Sequence, residues 1–107
     1  MGYLLLSFAI VTEVTATISL RLSEGFTRLV PSIITVIGYA TAFFLLSRTL
    51  VHGVPLGIAY GIWAGVGVAL VAVIGAVFLG DGLTWVQSLG IMAIIGGVLA
   101  LEFGAAH

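Results

Sequence analysis

Glu13 is the only charged side chain in the run GYLLLSFAIVTEVTATISL, from Gly2 to Leu20. In a helix rising about 1.5 Å per residue it lies roughly 15 Å from the start of that run, near the middle of a bilayer. A carboxylate there costs about 2.5–3.5 kcal/mol on insertion scales, so it persists where it faces a cavity or a partner. Such a group can be neutralised by a proton or by an organic cation. That makes Glu13 the leading candidate for a functional residue.

Its neighbours at helical spacing are Leu6, Ala9, Ile10, Ala16, Thr17 and Leu20. Ala9 and Ala16 leave space beside the carboxylate, and Thr17 adds a hydroxyl one turn on. Thr12, Thr15 and Thr17 have a second reading, in which each hydroxyl bonds back to its own helix. Two aromatic pairs sit further along. Tyr39 and Phe43 are four residues apart, and Tyr60 and Trp63 are three apart, so each pair shares a helix face. Aromatic faces attract organic cations, each ring contributing about 0.5–2 kcal/mol once desolvated. Core filling, or anchoring at the membrane interface, is the other reading of such rings.

Other chemistry lacks its parts. The serines have no His/Asp arrangement, so nucleophilic catalysis is not expected. His52 and His107 have no Asp, Glu or Cys spaced to complete a metal site. The glycines form no phosphate-binding loop. The sequence therefore predicts neither an enzyme nor a metal or other cofactor.

The elements that must carry Glu13 follow from composition. Of 107 residues, 62% are hydrophobic and 7% charged, too little polar surface to cover a water-exposed globule. This predicts one integral membrane domain over residues 1–107. The net charge of −1 excludes a nucleic-acid partner, which would call for a basic patch. The N-terminus lacks a basic segment and has Glu13 inside its apolar run, so the first helix is expected to be retained rather than cleaved. Breaks in hydropathy give an all-α fold with four spans, about residues 2–20, 31–51, 56–79 and 85–104. Gly25 and Pro31 mark the first connection, Gly53 and Pro55 the second, and Asp81 and Gly82 the third; Thr84 is placed to cap the last helix. Arg21 and Arg28 fall on one side of the membrane and Arg48 on the other, a nearly balanced count that permits insertion in both orientations.

Two helices carry stripes of small residues. Gly57, Gly61, Gly65 and Ala69 repeat every four residues in the third, a face suited to close helix approach. Gly65 and Gly67, either side of Val66, could permit a bend. In the fourth, Gly90, Ala93, Gly97, Ala100 and Gly104 form a seam read as structural and suited to self-association. Arg48 and Glu102 lie near span boundaries, within reach of water.

Over essentially its full length the chain resembles the small multidrug resistance family, in particular its quaternary-ammonium exporting branch. The resemblance rests on AIVTEVTAT around Glu13, SEGFTRL at 23–29, GIAYGIWAGVG at 57–67 and the Gly90/Gly97 helix. It implies a multi-pass protein of the bacterial inner membrane that forms an antiparallel, dual-topology homodimer. Two membrane-embedded glutamates would form one shared site, exchanging protons for lipophilic cations by alternating access. Glu13 matches the proton- and substrate-binding carboxylate, with Ala9, Ile10, Ala16 and Thr17 around it. Tyr39, Phe43, Tyr60 and Trp63 match pocket aromatics, Gly65 and Gly67 the bend, and Gly90 and Gly97 the dimer seam. Two features depart from the pattern: Ala42 stands where the family carries a pocket serine, and the VHGVP turn is one residue longer. A guanidinium exporter on the same scaffold is the nearer rival; Ala16 stands where that branch places a Trp. A membrane assembly subunit or proton-conducting element is the rival from a different class.

Overall fold

The computed structural model describes residues 1–104 and contains four helices: α1 (Gly2–Leu22), α2 (Leu29–Val51), α3 (Leu56–Phe78) and α4 (Trp85–Phe103). All four are long and apolar enough to cross a membrane. In lipid every backbone N–H and C=O must find an internal partner, and a helix satisfies them within one segment. The hydroxyls do the same. Ser7, Thr12, Thr15, Thr35 and Thr49 each donate to the carbonyl one turn back, a bond that lets a polar residue sit in an apolar helix at little cost. Among the described residues, no buried side-chain nitrogen or oxygen is left without a hydrogen-bond partner.

The described residues divide into two helical hairpins, residues 1–55 and residues 56–104. In the first, α1 packs on α2 through small and short side chains. Ala9, Ala16, Ala42 and Thr49 are fully buried, and Thr35 nearly so. The tight VHGVP turn folds Val54 over the start of α1. A Cβ on Gly2 would lie 2.6 Å from Val54 Cγ2, so this position accepts only glycine without a shift. Pro31 falls in the first turn of α2, where its missing N–H leaves no gap in the ladder. The wider connection between the helices is closed by Ser23. Its hydroxyl donates to Leu20 O and accepts from the Phe26 N–H, while Glu24, Gly25 and Phe26 all take positive φ.

The second hairpin joins α3 to α4. Gly61 and Gly65 admit α4 closely, a Cβ on either lying 2.6 Å from Leu101 Cδ1 or Val98 Cγ2 respectively. The four-residue glycine stripe thus serves this contact at two of its positions, while Gly57 has open space around it. The connection ends α3 at Phe78 with Gly80 at φ +76°. The left-handed position falls there rather than on Gly82, and the Asp81 N–H bonds Gly75 O at 3.0 Å. Thr84 caps α4 as expected: its hydroxyl accepts the Gln87 N–H, and the Gln87 side chain accepts the Thr84 N–H.

Candidate functional site

Glu13 lies in the middle of α1, half-buried, with Ala9 and Ala16 on either side along the helix. The helix repeat places Thr17 one turn further on the same face. There its hydroxyl departs from the habit of Thr12 and Thr15. Thr17 Oγ1 donates to Glu13 Oε1 at 2.7 Å instead of to a backbone carbonyl. The side-chain carboxylate offers an acceptor one turn back, and a charged acceptor outbids a neutral carbonyl already engaged in the helix.

The same Thr17 oxygen is 2.7 Å from the Tyr39 hydroxyl of α2. Glu13, Thr17 and Tyr39 therefore form one continuous hydrogen-bonded chain across the hairpin. Gly38, next to Tyr39, sets the spacing. A Cβ there would lie only 2.8 Å from Ala16 Cβ and 3.5 Å from Thr12 O. With hydrogen at that position, α2 comes close enough for the tyrosine to reach the threonine. Sequence reasoning did not single out Gly38; its signal was a glycine beside Tyr39 facing a helix that also carries alanines.

The structure thus gives the space beside Ala16 a particular occupant. Ala9 and Ala16 are buried to zero exposure, and Gly38 of α2 sits against Ala16. Ile10 is buried as well, and so is Ala42, at the position where the family's serine would stand. Phe43 lies a turn beyond Tyr39 and is 58% exposed.

In the second hairpin Tyr60 and Trp63 form an edge-to-face pair, with ring centroids 5.8 Å apart and planes at 83°. Trp63 is buried and Tyr60 is 57% exposed, so the tyrosine is the accessible member of the pair. Gly65 lies within an unbroken α3 and packs against Val98 and Ile94, while Gly67 is buried. On α4 the side facing α3 is made by Ile94, Val98 and Leu101. Gly90, Ala93, Gly97, Ala100 and Gly104 are all exposed. Added Cβ atoms at Gly90 and Gly97 would meet nothing within 4 Å. Among the described residues no group of three His, Asp or Glu side chains could hold a metal; His107 lies outside them.

Four membrane-length helices and a single half-buried carboxylate on the first define a small multi-pass membrane protein, with a candidate charge-binding site at mid-span. Comparison with known proteins makes the assignment specific. Residues 1–94 match the family described as Small Multidrug Resistance protein, and the chain belongs to this family. It is 46% identical over 101 residues to the quaternary ammonium compound-resistance protein QacF of Klebsiella aerogenes, covering 94% of this chain and 91% of that protein. Identity to the multidrug transporter EmrE of Escherichia coli K12 is 44% over 100 residues, 94% of this chain and 90% of that one. The multidrug resistance protein mmr of Mycolicibacterium paratuberculosis is 40% identical over the full length of both. The family consists of transporters, so the chain is a multi-pass multidrug efflux transporter of the bacterial inner membrane and not an enzyme.

Proposed function

We propose that this protein exports lipophilic and quaternary ammonium cations in exchange for protons, with both ions competing for Glu13. The observation that carries the reading is the placement of one carboxylate at mid-span, half-buried and held by the Thr17 hydroxyl. In a low-dielectric setting that carboxylate must be neutralised, and a proton and an organic cation are alternative ways to do it. The names of QacF and EmrE, a quaternary ammonium resistance protein and a multidrug transporter, support the cation class.

The working unit in this reading is an antiparallel homodimer with both protomers' Glu13 at one shared site, opening alternately to each side of the membrane. The exposed α4 stripe of Gly90, Ala93, Gly97, Ala100 and Gly104 is the face we assign to the partner, since small side chains permit close approach of a second helix. Tyr39, Phe43, Tyr60 and Trp63 supply aromatic faces to the cation. Gly65 and Gly67 supply the give in α3 as the site changes sides. A cation binding between the two carboxyl groups favours their ionised form and so releases their protons, and protons arriving from outside expel it. Mutual exclusion couples the two fluxes.

Proteoliposomes test this directly. An imposed pH gradient, acidic inside the vesicles, should drive tetraphenylphosphonium uptake against its concentration gradient as protons leave. Uptake that is indifferent to the pH gradient would overturn the exchange reading. Proton leak that needs no cation would favour the proton-conducting alternative instead.

A further inference from the structure

The chain of hydrogen bonds from Glu13 through Thr17 to Tyr39 has a direction, and proton counting fixes it. An ionised carboxylate only accepts, and a threonine or tyrosine hydroxyl has one proton to give. With Glu13 ionised, Thr17 must donate to Oε1 at 2.7 Å. Its single proton is then spent. At the 2.7 Å contact with Tyr39, Thr17 can only accept, so the tyrosine O–H points inward and its oxygen lone pairs face away.

A proton on Glu13 Oε1 inverts this order. The carboxyl O–H becomes the stronger donor and gives to Thr17, which turns its own proton toward the Tyr39 oxygen. The Tyr39 O–H is then released to point away from Thr17. No bond is made or broken between heavy atoms; one proton is added at Glu13, and the Thr17 and Tyr39 hydroxyl protons each turn to a new neighbour.

We propose that Thr17 is a positioning residue that reverses the Tyr39 hydroxyl dipole according to the protonation state of Glu13. The proposal rests on the exchange reading above and deepens it. When Glu13 is ionised, Tyr39 presents lone pairs, the negative end of its dipole, to an incoming organic cation. When Glu13 is neutral, Tyr39 presents a proton, the positive end. The tyrosine thereby reinforces at a second atom the exclusion that the carboxylate imposes at the first. Within this hairpin the Tyr39 hydroxyl reaches the cluster. Arg21 follows Thr17 by one turn on the same face of α1, Tyr3 lies toward the start of that helix, and Arg48, nine residues from Tyr39, falls on the other side of α2.

Infrared difference spectroscopy on the full chain in lipid, with isotope-labelled tyrosine, reads both groups. A pH change without any cation present should make the Glu13 carboxylic acid band appear and shift one tyrosine C–O–H band with it. That tyrosine band should vanish in Tyr39→Phe, stay uncoupled from Glu13 in Thr17→Val, and remain coupled in Thr17→Ser, which keeps the hydroxyl. Tetraphenylphosphonium affinity should fall about tenfold in Thr17→Val, as expected for losing a hydrogen bond to a charged group, and hold near the parent value in Thr17→Ser. A Glu13 band that appears while every tyrosine band stays still overturns the link alone. So does a Tyr39 shift that survives in Thr17→Val. If tetraphenylphosphonium binds without removing the Glu13 acid band in the parent, the exchange reading fails and the link fails with it.

Discussion

Glu13→Gln loses roughly three orders of magnitude in affinity for tetraphenylphosphonium and loses its dependence on pH, while the helices remain intact. The substitution is close to isosteric, and its amide oxygen can still accept the Thr17 hydroxyl that now reaches Oε1 at 2.7 Å. What disappears is the charge. Two unit charges about 4 Å apart interact by about 4 kcal/mol at an effective dielectric constant near 20, close to a thousandfold in binding. No other carboxylate lies in any of the four helices except Glu102, at the far end of α4. Equilibrium binding at several pH values, with circular dichroism as the folding control, checks this. Parent-like binding by the variant would place the cation site elsewhere.

Gly38→Ala is expected to destabilise the first hairpin, and exchanging the two residues (Ala16→Gly with Gly38→Ala) to restore much of the loss. The methyl added at Gly38 would lie 2.8 Å from Ala16 Cβ, so α1 and α2 must move apart. Overpacking of this kind costs about 1–3 kcal/mol. The helix-propensity gain of about 1 kcal/mol for replacing glycine offsets part of it. Moving the methyl to the other helix removes the clash, so the two substitutions should be strongly non-additive. Widening the gap also stretches the 2.7 Å Thr17–Tyr39 bond, and Gly38→Ala should weaken cation binding along with stability. Unfolding in mixed micelles by added SDS, followed by circular dichroism, gives the double-mutant cycle. Additive effects would mean that Ala16 and Gly38 do not share the contact.

Parts of this arrangement were legible in the amino-acid order. A lone carboxylate in an apolar run is conspicuous because its cost is so far above that of its neighbours. The cap on α4 was legible in Thr84, which stands just ahead of an apolar run, and the structure adds Gln87 as its reciprocal partner. The first-turn Pro31 and the left-handed glycine at 53 fell where chain geometry allows few other residues.

Hydroxyls and small residues were harder to read, because each supports two structures of similar cost. Thr12, Thr15 and Thr17 look alike in sequence, yet two bond their own backbone and the third bonds Glu13. The difference lies in the acceptor one turn back, which is a carboxylate only for Thr17. Ala16 likewise reads as room for a ligand or as room for a helix, and Gly38 occupies that room. The third connection shows the same ambiguity among glycines. Both Gly80 and Gly82 can take positive φ, and the carbonyl of Gly75, bonded by Leu79 and Asp81 N–H groups, selects Gly80.

Proton release on cation binding tests the central claim most directly. Tetraphenylphosphonium added to detergent-solubilised protein in weakly buffered solution should release protons in step with saturation of the cation site, and Glu13→Gln should release none. Saturable binding by the parent protein with no protons released would contradict the account.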